Sequence, residues 1–390
     1  MKTIVFCADG TWNGPGEATD DPKDACATNV FKLYLALSGK DVVDAATYRS
    51  ANEQERTLAD ASGAPAQVAK YLHGVGDSDN FLFKLLGGVL GAGVITRIVR
   101  GYTFVSRHFE AGDRVVLVGF SRGAYTARAL AGLIAGQGLL DARKHDLNDK
   151  TKAYRLGSAA WTDYRSRSCR NAPDPTWLQK LVTLTGDLPA FFTRPPEAPQ
   201  YVVTTIDSVA VWDTVGSLGI PQYQADVNRL DQFRFCDTQL SKQVQAGFHA
   251  VSLDEQRADF TPTLWDADPG RVTQMLFAGA HADVGGGYPL AREESGLSDI
   301  ALQWMVEQLK ARGVAFGDLG GSFAPLATGV AHEPWRHSPW SVLKPDPAPR
   351  SVLKRSGIAE HPSVQARRSA ASVLSDPDAL PAAYRPRALA

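Results

Sequence analysis

The chain of 390 residues is long enough to bury a sizeable core in one large domain or two ordinary ones, and its 41 Lys plus Arg against 42 Asp plus Glu leave a formal charge of −1. No long run of either sign supplies an electrostatic footprint for nucleic acid, so a small-molecule or lipid-like partner fits better than a polyanion. The scattered Cys7, Cys26, Cys169 and Cys236 form no C-x-x-C pair, which argues against a zinc knuckle or a disulfide framework and suits a reducing, cytoplasmic setting.

The opening MKTIVFCADGTWN has one lysine and a brief apolar run ending in Asp-Gly, without a full apolar core or a small-residue cleavage site, and reads as a first strand rather than a signal peptide. Strand-like and helix-like runs then alternate: TIVFCA and NVFKLYLALS, QVAKYLHG and a helical stretch through GVITRIVRGYTFVSRHF, RVVLVGF and AYTARALAGLIAGQG. The later strands YVVTTIDSVAVWDTV and VTQMLFAGAH precede a helix in LSDIALQWMVEQLKARG. This alternation predicts an α/β fold with a mostly parallel sheet flanked by helices, because parallel strands need crossover connections and are buried on both faces. In the last helix Leu302, Met305, Val306 and Leu309 share one face, with Ser298 the expected N-cap and Asp299 near the positive helix end. The most membrane-like stretch, FLFKLLGGVLGAGVITRIV, is interrupted by Lys84 and Arg97 and falls short of the ~20 apolar residues of a spanning helix, so no transmembrane segment is expected.

Two stretches lose the β/α rhythm. Residues 141–200 are expected to form a helical insertion or cap over the carboxyl edge of the sheet, and about 221–260 an irregular completion of that cover. Residues 1–315 are thus expected as one domain, and the Pro-, Ala- and Ser-rich residues 316–390 as an irregular tail packed on it.

The segment VVLVGFSRGAYTARALAGLI carries Gly119-Phe120-Ser121-Arg122-Gly123, a G-x-S-x-G sequence with a strand before it and a helix after it. That context is what gives the motif meaning: the serine backbone is strained, flanking side chains would collide, and the turn presents the hydroxyl at the sheet edge beside a helix N-terminus. The plain alternative is a serine in a tight turn. As a nucleophile, Ser121 needs a base and a carboxylate to orient that base, in the chain order serine, acid, histidine. Asp213 in VAVWDTVGSLG ends a strand-like run, with Asp207 the second choice, and His281 in LFAGAHADVGGGY follows the next strand. His249 in GFHAVSLDEQRADF is the rival histidine, expected on a helix in a structural hydrogen bond.

The amide of Arg122 and an amide of Gly10 or Thr11 in FCADGTWNG are the expected oxyanion donors, with Asp9 holding that loop. A phosphoryl-transfer reading of Asp-Gly-Thr needs a nucleophilic aspartate two positions before Asp9, where the chain has Cys7. His281 and Asp283 form an H-x-D pair, but two ligands from one loop are not a metal site, so neither metal nor cofactor is expected. HGVGDSD at 73–79 reads equally as a loop passing near the serine or as an ordinary turn.

With DGTWN, GVG, GFSRGAYTAR, VWDTVGSLG, HAVSLDEQRADFTPTLW, AGAHADVGGGY and LSDIALQWMV in this order, the chain resembles the uncharacterised α/β-hydrolase family related to type VI secretion phospholipase effectors, over residues 1 to about 310. The resemblance implies an α/β-hydrolase-like fold and a Ser-Asp-His triad, carried here by Ser121, Asp213 and His281. It also raises export through a signal-peptide-independent system as the alternative to a cytoplasmic location. The expectation is an ester hydrolase working through an acyl-enzyme, with Trp212, Leu218, Phe191 and Phe192 lining an acyl pocket. The alternatives are a phospholipase A acting on membrane lipids and a non-catalytic scaffold that keeps the fold. No oligomeric state is read from the sequence.

Overall fold

A computed structural model describes residues 1–10, 26–42, 53–74, 90–168, 197–215, 238–320, 323–338, 340–343 and 347–389. Its centre is a nine-stranded sheet. In chain order the elements are β1 (Thr3–Ala8), α1 (Asn29–Ala36), β2 (Lys40–Asp41), β3 (Glu53–Ala59), β4 (Pro65–Leu72), α2 (Leu90–His108), β5 (Arg114–Phe120) and α3 (Arg122–Gln137). There follow β6 (Leu139–Leu140), α4 (Lys150–Ser168), β7 (Tyr201–Val202), β8 (Ile206–Trp212), β9 (Val244–Ser252) and β10 (Val272–Phe277). The last are α5 (His281–Gly285), α6 (Gly296–Ala311), α7 (Trp340–Leu343), β11 (Ala359–Glu360) and α8 (Pro362–Ser369).

The strand order is β11-β10-β9-β8-β5-β1-β4-β3-β2. Every pairing from β11 to β4 is parallel, and the β4–β3 and β3–β2 pairings at the other edge are antiparallel. This is the mostly parallel sheet flanked by helices of an α/β-hydrolase-like fold. The two-residue period of a strand sends alternate side chains to opposite faces. Ile4, Phe6, Val115 and Leu117 therefore join one core with α2, α3 and α4, while Val5, Cys7, Val116, Val118 and Phe120 join the other with α1 and α6. Each fully buried Val, Leu, Ile or Phe adds about 1.5–3 kcal/mol of transfer free energy, and both faces are lined with them.

The topology fixes where a site can form. After β1 the chain goes to β4 on one side, then crosses to β5 on the other, so the order reverses between β1 and β5. A crevice opens at the carboxyl ends of strands at such a switch point. Gly10 follows β1 there and Ser121 follows β5.

Several expectations change. Val244–Ser252, expected in the irregular cover, is strand β9, inside the sheet between β8 and β10. Its glycine, histidine and serine blur the apolar pattern. Strand β3 carries Glu53 and Glu55 where an apolar alternation would stand, and both are buried against Lys70. Helix α4, from the expected cap, packs its Leu156, Ala160 and Trp161 into the core beneath α2 and α3. The N-cap position of α6 is Ser295 rather than Ser298, whose hydroxyl donates to the Ser295 carbonyl at 2.9 Å. The chain after residue 315 supplies β11 and α8, and its Leu353, Val364 and Ala388 are buried with Val251 and Leu276 of β9 and β10. Among the described residues no helix is long and apolar enough to cross a membrane.

Candidate active site

Ser121 is the hinge between β5 and α3. Its backbone has φ 56° and ψ −122°, outside the regions L-residues favour, a conformation that costs on the order of 1–3 kcal/mol and needs support from its surroundings. The support is visible. The Ser121 amide donates to the Trp212 carbonyl of β8 at 3.1 Å, and the Tyr125 amide returns to the Ser121 carbonyl at 3.2 Å. Glycines on either side let the backbones close: a Cβ on Gly119 would lie 2.3 Å from the Gly123 carbonyl oxygen, and one on Gly123 would lie 2.0 Å from that of Ala8. Both distances are far below any real contact, so the motif glycines are required by the crossing of β1, β5 and α3.

Asp213 follows β8, with its amide donating to Ala250 of β9 at 2.7 Å. His281 follows β10 and opens α5. The two strands are not adjacent, but their ends project to the same rim and His281 Nδ1 meets Asp213 Oδ2 at 2.5 Å. The rest of the Asp213 carboxylate is saturated: Ser252 N–H donates to Oδ1 at 2.9 Å, and Arg350 donates to Oδ1 at 2.7 Å and to Oδ2 at 2.8 Å. Burial pushes the acid up, but the Arg350 guanidinium and the His281 bond outweigh it and hold it well below the usual carboxylate range. Burial lowers the His281 pKa, against the upward pull of Asp213, so the ring is neutral at neutral pH. The ring lies 4.6 Å from the Phe120 ring and 4.9 Å from the Phe260 ring, centroid to centroid, which restricts its rotation. Its backbone amide donates to Glu255 at 3.2 Å. Nε2 is buried and has no hydrogen-bond partner among the described residues. A neutral imidazole with Nδ1 committed to a carboxylate and Nε2 uncommitted is the protonation pattern of a general base.

Opposite the serine, the end of β1 is held by Asp9. Its carboxylate accepts from Gly10 N–H at 2.7 Å, Thr28 Oγ1 at 2.7 Å and Tyr71 OH at 2.6 Å. Burial nevertheless raises it to about 6. Arg97 donates to the carbonyls of Asp9 and Leu72 at 2.6 and 3.2 Å, closing the ends of β1 and β4. Gly10 borders the serine: a Cβ there would stand 3.3 Å from the Ser121 Cβ.

Over residues 2–308 the chain matches the family described as the catalytic domain of Tle1-like phospholipase effectors of the type VI secretion system. The chain belongs to this family. It is also 30% identical over 259 residues to YEL023C, an uncharacterized protein of Saccharomyces cerevisiae, covering 66% of this chain and 32% of that protein. A solved structure of an uncharacterized Pseudomonas aeruginosa protein aligns with a TM-score of 0.42 at 16% identity, over 81% of this chain and 46% of that one. A Tle1 effector, solved bound to the VgrG spike of the type 6 secretion system, aligns with a TM-score of 0.37 at 15% identity, over 74% of this chain and 51% of that one. The chain thus spans about a third of the yeast protein and about half of each structural neighbour.

Within this Tle1-like domain the remaining expected residues fall out unequally. Asp207 sits at the opposite end of β8 and is bonded to Arg312 at 2.8 and 3.1 Å, so it does not meet His281. His249 lies on β9, not on a helix. It is fully buried, accepts Thr214 N–H on Nε2 at 3.1 Å, and is lowered by burial to about 3. It braces the turn after Asp213. The Gly10 amide, expected to face an oxyanion, is donated to Asp9 instead. Trp212, expected in an acyl pocket, is fully buried with the α6 core and donates Nε1–H to the Ala301 carbonyl at 3.3 Å. Its alternation on β8 points it into the sheet's packed face rather than to the rim. Thr11, Leu218, Phe191, Phe192 and most of the 73–79 loop lie outside the described residues.

The H-x-D pair is split between two tasks. Asp283 accepts from Ala280 N–H at 2.8 Å and from His332 at N–H (3.0 Å), and its Oδ1 meets His332 Nδ1 at 2.6 Å, while His281 faces Asp213. Among the described residues, His337, Asp376 and Asp378 bring ligand-type atoms within 4.8 Å of one another, with His337 Nε2 already 2.9 Å from Asp376.

Sequence reasoning assigned no role to the residues around the histidine. Phe260 meets the His281 ring edge-on, Trp340 packs edge-on against Phe260 at 5.5 Å, and Arg257 stacks on Phe260 with its guanidinium carbon 3.7 Å from the ring centroid. Arg257 is held in turn by Glu255 at 2.7 and 2.9 Å; burial opposes the charge on Glu255, but Arg257 brings it down to about 2. Glu255, Arg257 and Phe260 stand in the SLDEQRADF motif, which was a visible signal without an evident role. Trp340 and Arg350 lie in the Pro-rich tail and carry no such signal.

Proposed function

We propose that the protein hydrolyses lipid-like carboxylic esters through an acyl-enzyme. Ser121 Oγ attacks the ester carbonyl as His281 Nε2 takes its proton, giving a tetrahedral oxyanion. Asp213 keeps the proton of Nδ1 on the far side of the ring and stabilises the imidazolium that forms. The amide of Arg122, in the first turn of α3 where backbone N–H groups have no helical acceptor, is the expected oxyanion donor, and Thr11 the candidate for a second. Collapse of the oxyanion breaks the bond to the alcohol, which leaves with the proton from Nε2. Water then attacks the acyl-serine by the same route in reverse, releasing the acid and free Ser121.

The observation that carries this reading is the 2.5 Å Asp213–His281 contact on the rim that also holds the strained Ser121. Family membership favours phospholipids among esters, and attack on their carboxylic esters would be phospholipase A chemistry. The test compares p-nitrophenyl esters of increasing chain length with phospholipid vesicles, using wild type beside folded Ser121→Ala, Asp213→Asn and His281→Ala. The expected result is a fall in kcat of about 10³-fold or more in each variant, with fatty-acid release from vesicles by the wild type. Undiminished turnover in Ser121→Ala would rule out the mechanism, and fatty-acid release only from soluble esters would leave an esterase rather than a phospholipase.

A further inference from the structure

We propose that Arg350, beyond the family-matched residues 2–308, is a positioning residue that sets the rotation of the Asp213 carboxylate so that Oδ2 stays on His281 Nδ1. The inference rests on the serine-hydrolase reading above. A carboxylate turns easily about its last bond, because that torsion joins sp³ to sp² carbon and has a broad profile. His281 on Oδ2 and the Ser252 amide on Oδ1 each supply one hydrogen bond, and neither alone spans both oxygens. The guanidinium does, because its planar fork matches both oxygens at once, and here Nη1 takes Oδ1 at 2.7 Å and Nη2 takes Oδ2 at 2.8 Å. Neither partner is solvated: the side chains are 3% and 0% exposed.

The same guanidinium reaches beyond the acid. Nη1 also donates to the Ser252 carbonyl at 2.8 Å, and Nη2 to the carbonyl of Phe260, whose ring packs on His281. One side chain therefore joins the ends of β8 and β9 to the aromatic wall beside the base. Arg350 is itself held on both sides. Ahead of it Ala348 N–H donates to the Gln256 carbonyl at 2.9 Å, and behind it Leu353 is buried against β9 and β10. A tail that only wrapped the surface would have no reason to send a buried cation to the acid of the triad.

The charge has a second effect that a purely structural arginine would not have. A cation on Asp213 offsets part of the field by which the carboxylate raises the His281 pKa. Among the described residues, Glu255 and Arg257 also act on His281, and His249, coupled to Asp213, is acted on by Arg128 and Arg350. With the others unchanged, loss of Arg350 raises the basicity of His281.

The experiment measures kcat, KM and the pH profile on a soluble p-nitrophenyl ester for the full-length wild type, Arg350→Met, Arg350→Lys and Ser121→Ala, each checked for folding by thermal melting. Arg350→Met is expected to lower kcat about a hundredfold, as for a misplacement near 1 Å at a reacting group, with KM little changed and the acid limb moved to higher pH. Arg350→Lys keeps the charge but not the fork, so its acid limb stays near the wild type's while kcat still falls. Wild-type kcat and an unmoved limb in folded Arg350→Met would overturn the proposal and leave the triad standing. Turnover that survives in Ser121→Ala would overturn the triad reading and this inference with it. Should Arg350→Met not fold, Arg350→Lys decides, and wild-type kcat there overturns the proposal.

Discussion

At His281 two opposed effects act on one proton. Burial lowers its pKa from the ordinary 6.5, and the bond and field of Asp213 pull it back, with burial the larger. A general base works only when neutral. As pH falls, the ring therefore stays neutral through 6.5 and is lost to protonation only below it, so the acid limb of kcat/KM on a soluble ester is expected to lie below pH 6.5. A half-maximal point well above that value would contradict the environment described for the ring. Chain order and strand ends put Ser121, Asp213 and His281 forward as candidates, with Asp207 and His249 as rivals, because each of the three sits where a strand-like run stops. Their supporting contacts were not legible in this way. The Gly10 amide was expected to face substrate and instead serves the Asp9 carboxylate, and Trp212 was expected to face substrate and instead lies under α6. A neighbour in sequence to a site residue is not thereby a neighbour in space, since successive strand residues point to opposite faces.

At the scale of elements, the turn at Ser121 depends on three backbones approaching one another at Gly119 and Gly123. Gly123→Ala would place a methyl 2.0 Å from the Ala8 carbonyl oxygen, which only a shift of β1 or α3 could relieve. Its expected cost is about 3 kcal/mol, at the upper end of overpacking, read as a lowered urea midpoint. Gly112→Ala is the control. It has positive φ but open space around it, and an expected cost of about 1 kcal/mol. Gly123 is helical and has no positive φ, so a cost for Gly123→Ala no greater than that for Gly112→Ala would show that the crossing does not require glycine there. Elements were readable where an apolar face was continuous, as in β1, β5, α2 and α6. They were not where charge or small residues replaced it: β3 buries Glu53 and Glu55 against Lys70, and β9 runs through Gly247 and His249. Those side chains are compensated by partners distant in the chain, which a local period does not register.

At the scale of the molecule, the chain after residue 315 is joined to the sheet in two ways, by β11 beside β10 and by Leu353, Val364 and Ala388 in a buried cluster. If this segment shares the cooperative fold, Leu353→Ala should cost about 2–5 kcal/mol, as for a large-to-small core change, within a single unfolding transition. Leu380→Ala, at a side chain 87% exposed, should change stability by less than about 0.5 kcal/mol. A separate early transition, unaccompanied by loss of the main one, would show the tail to be an independent layer. The expected irregular wrapping followed from composition, and composition is blind to which few apolar residues in a Pro-rich stretch find a sheet edge to cover.

What the sequence determined by itself was the alternation of strands and helices, the G-x-S-x-G turn, and the strand ends that offered candidate residues, because each of these is written in local periodicity or in residues adjacent along the chain. Only the tertiary structure decided which aspartate meets His281, where the Gly10 amide goes, that His249 braces a turn, and that Arg350 reaches the acid from 137 residues away. These are pairings between groups at the ends of different strands and in the tail, and charge pairing and desolvation depend on distance in space, which the sheet order sets and no local pattern records.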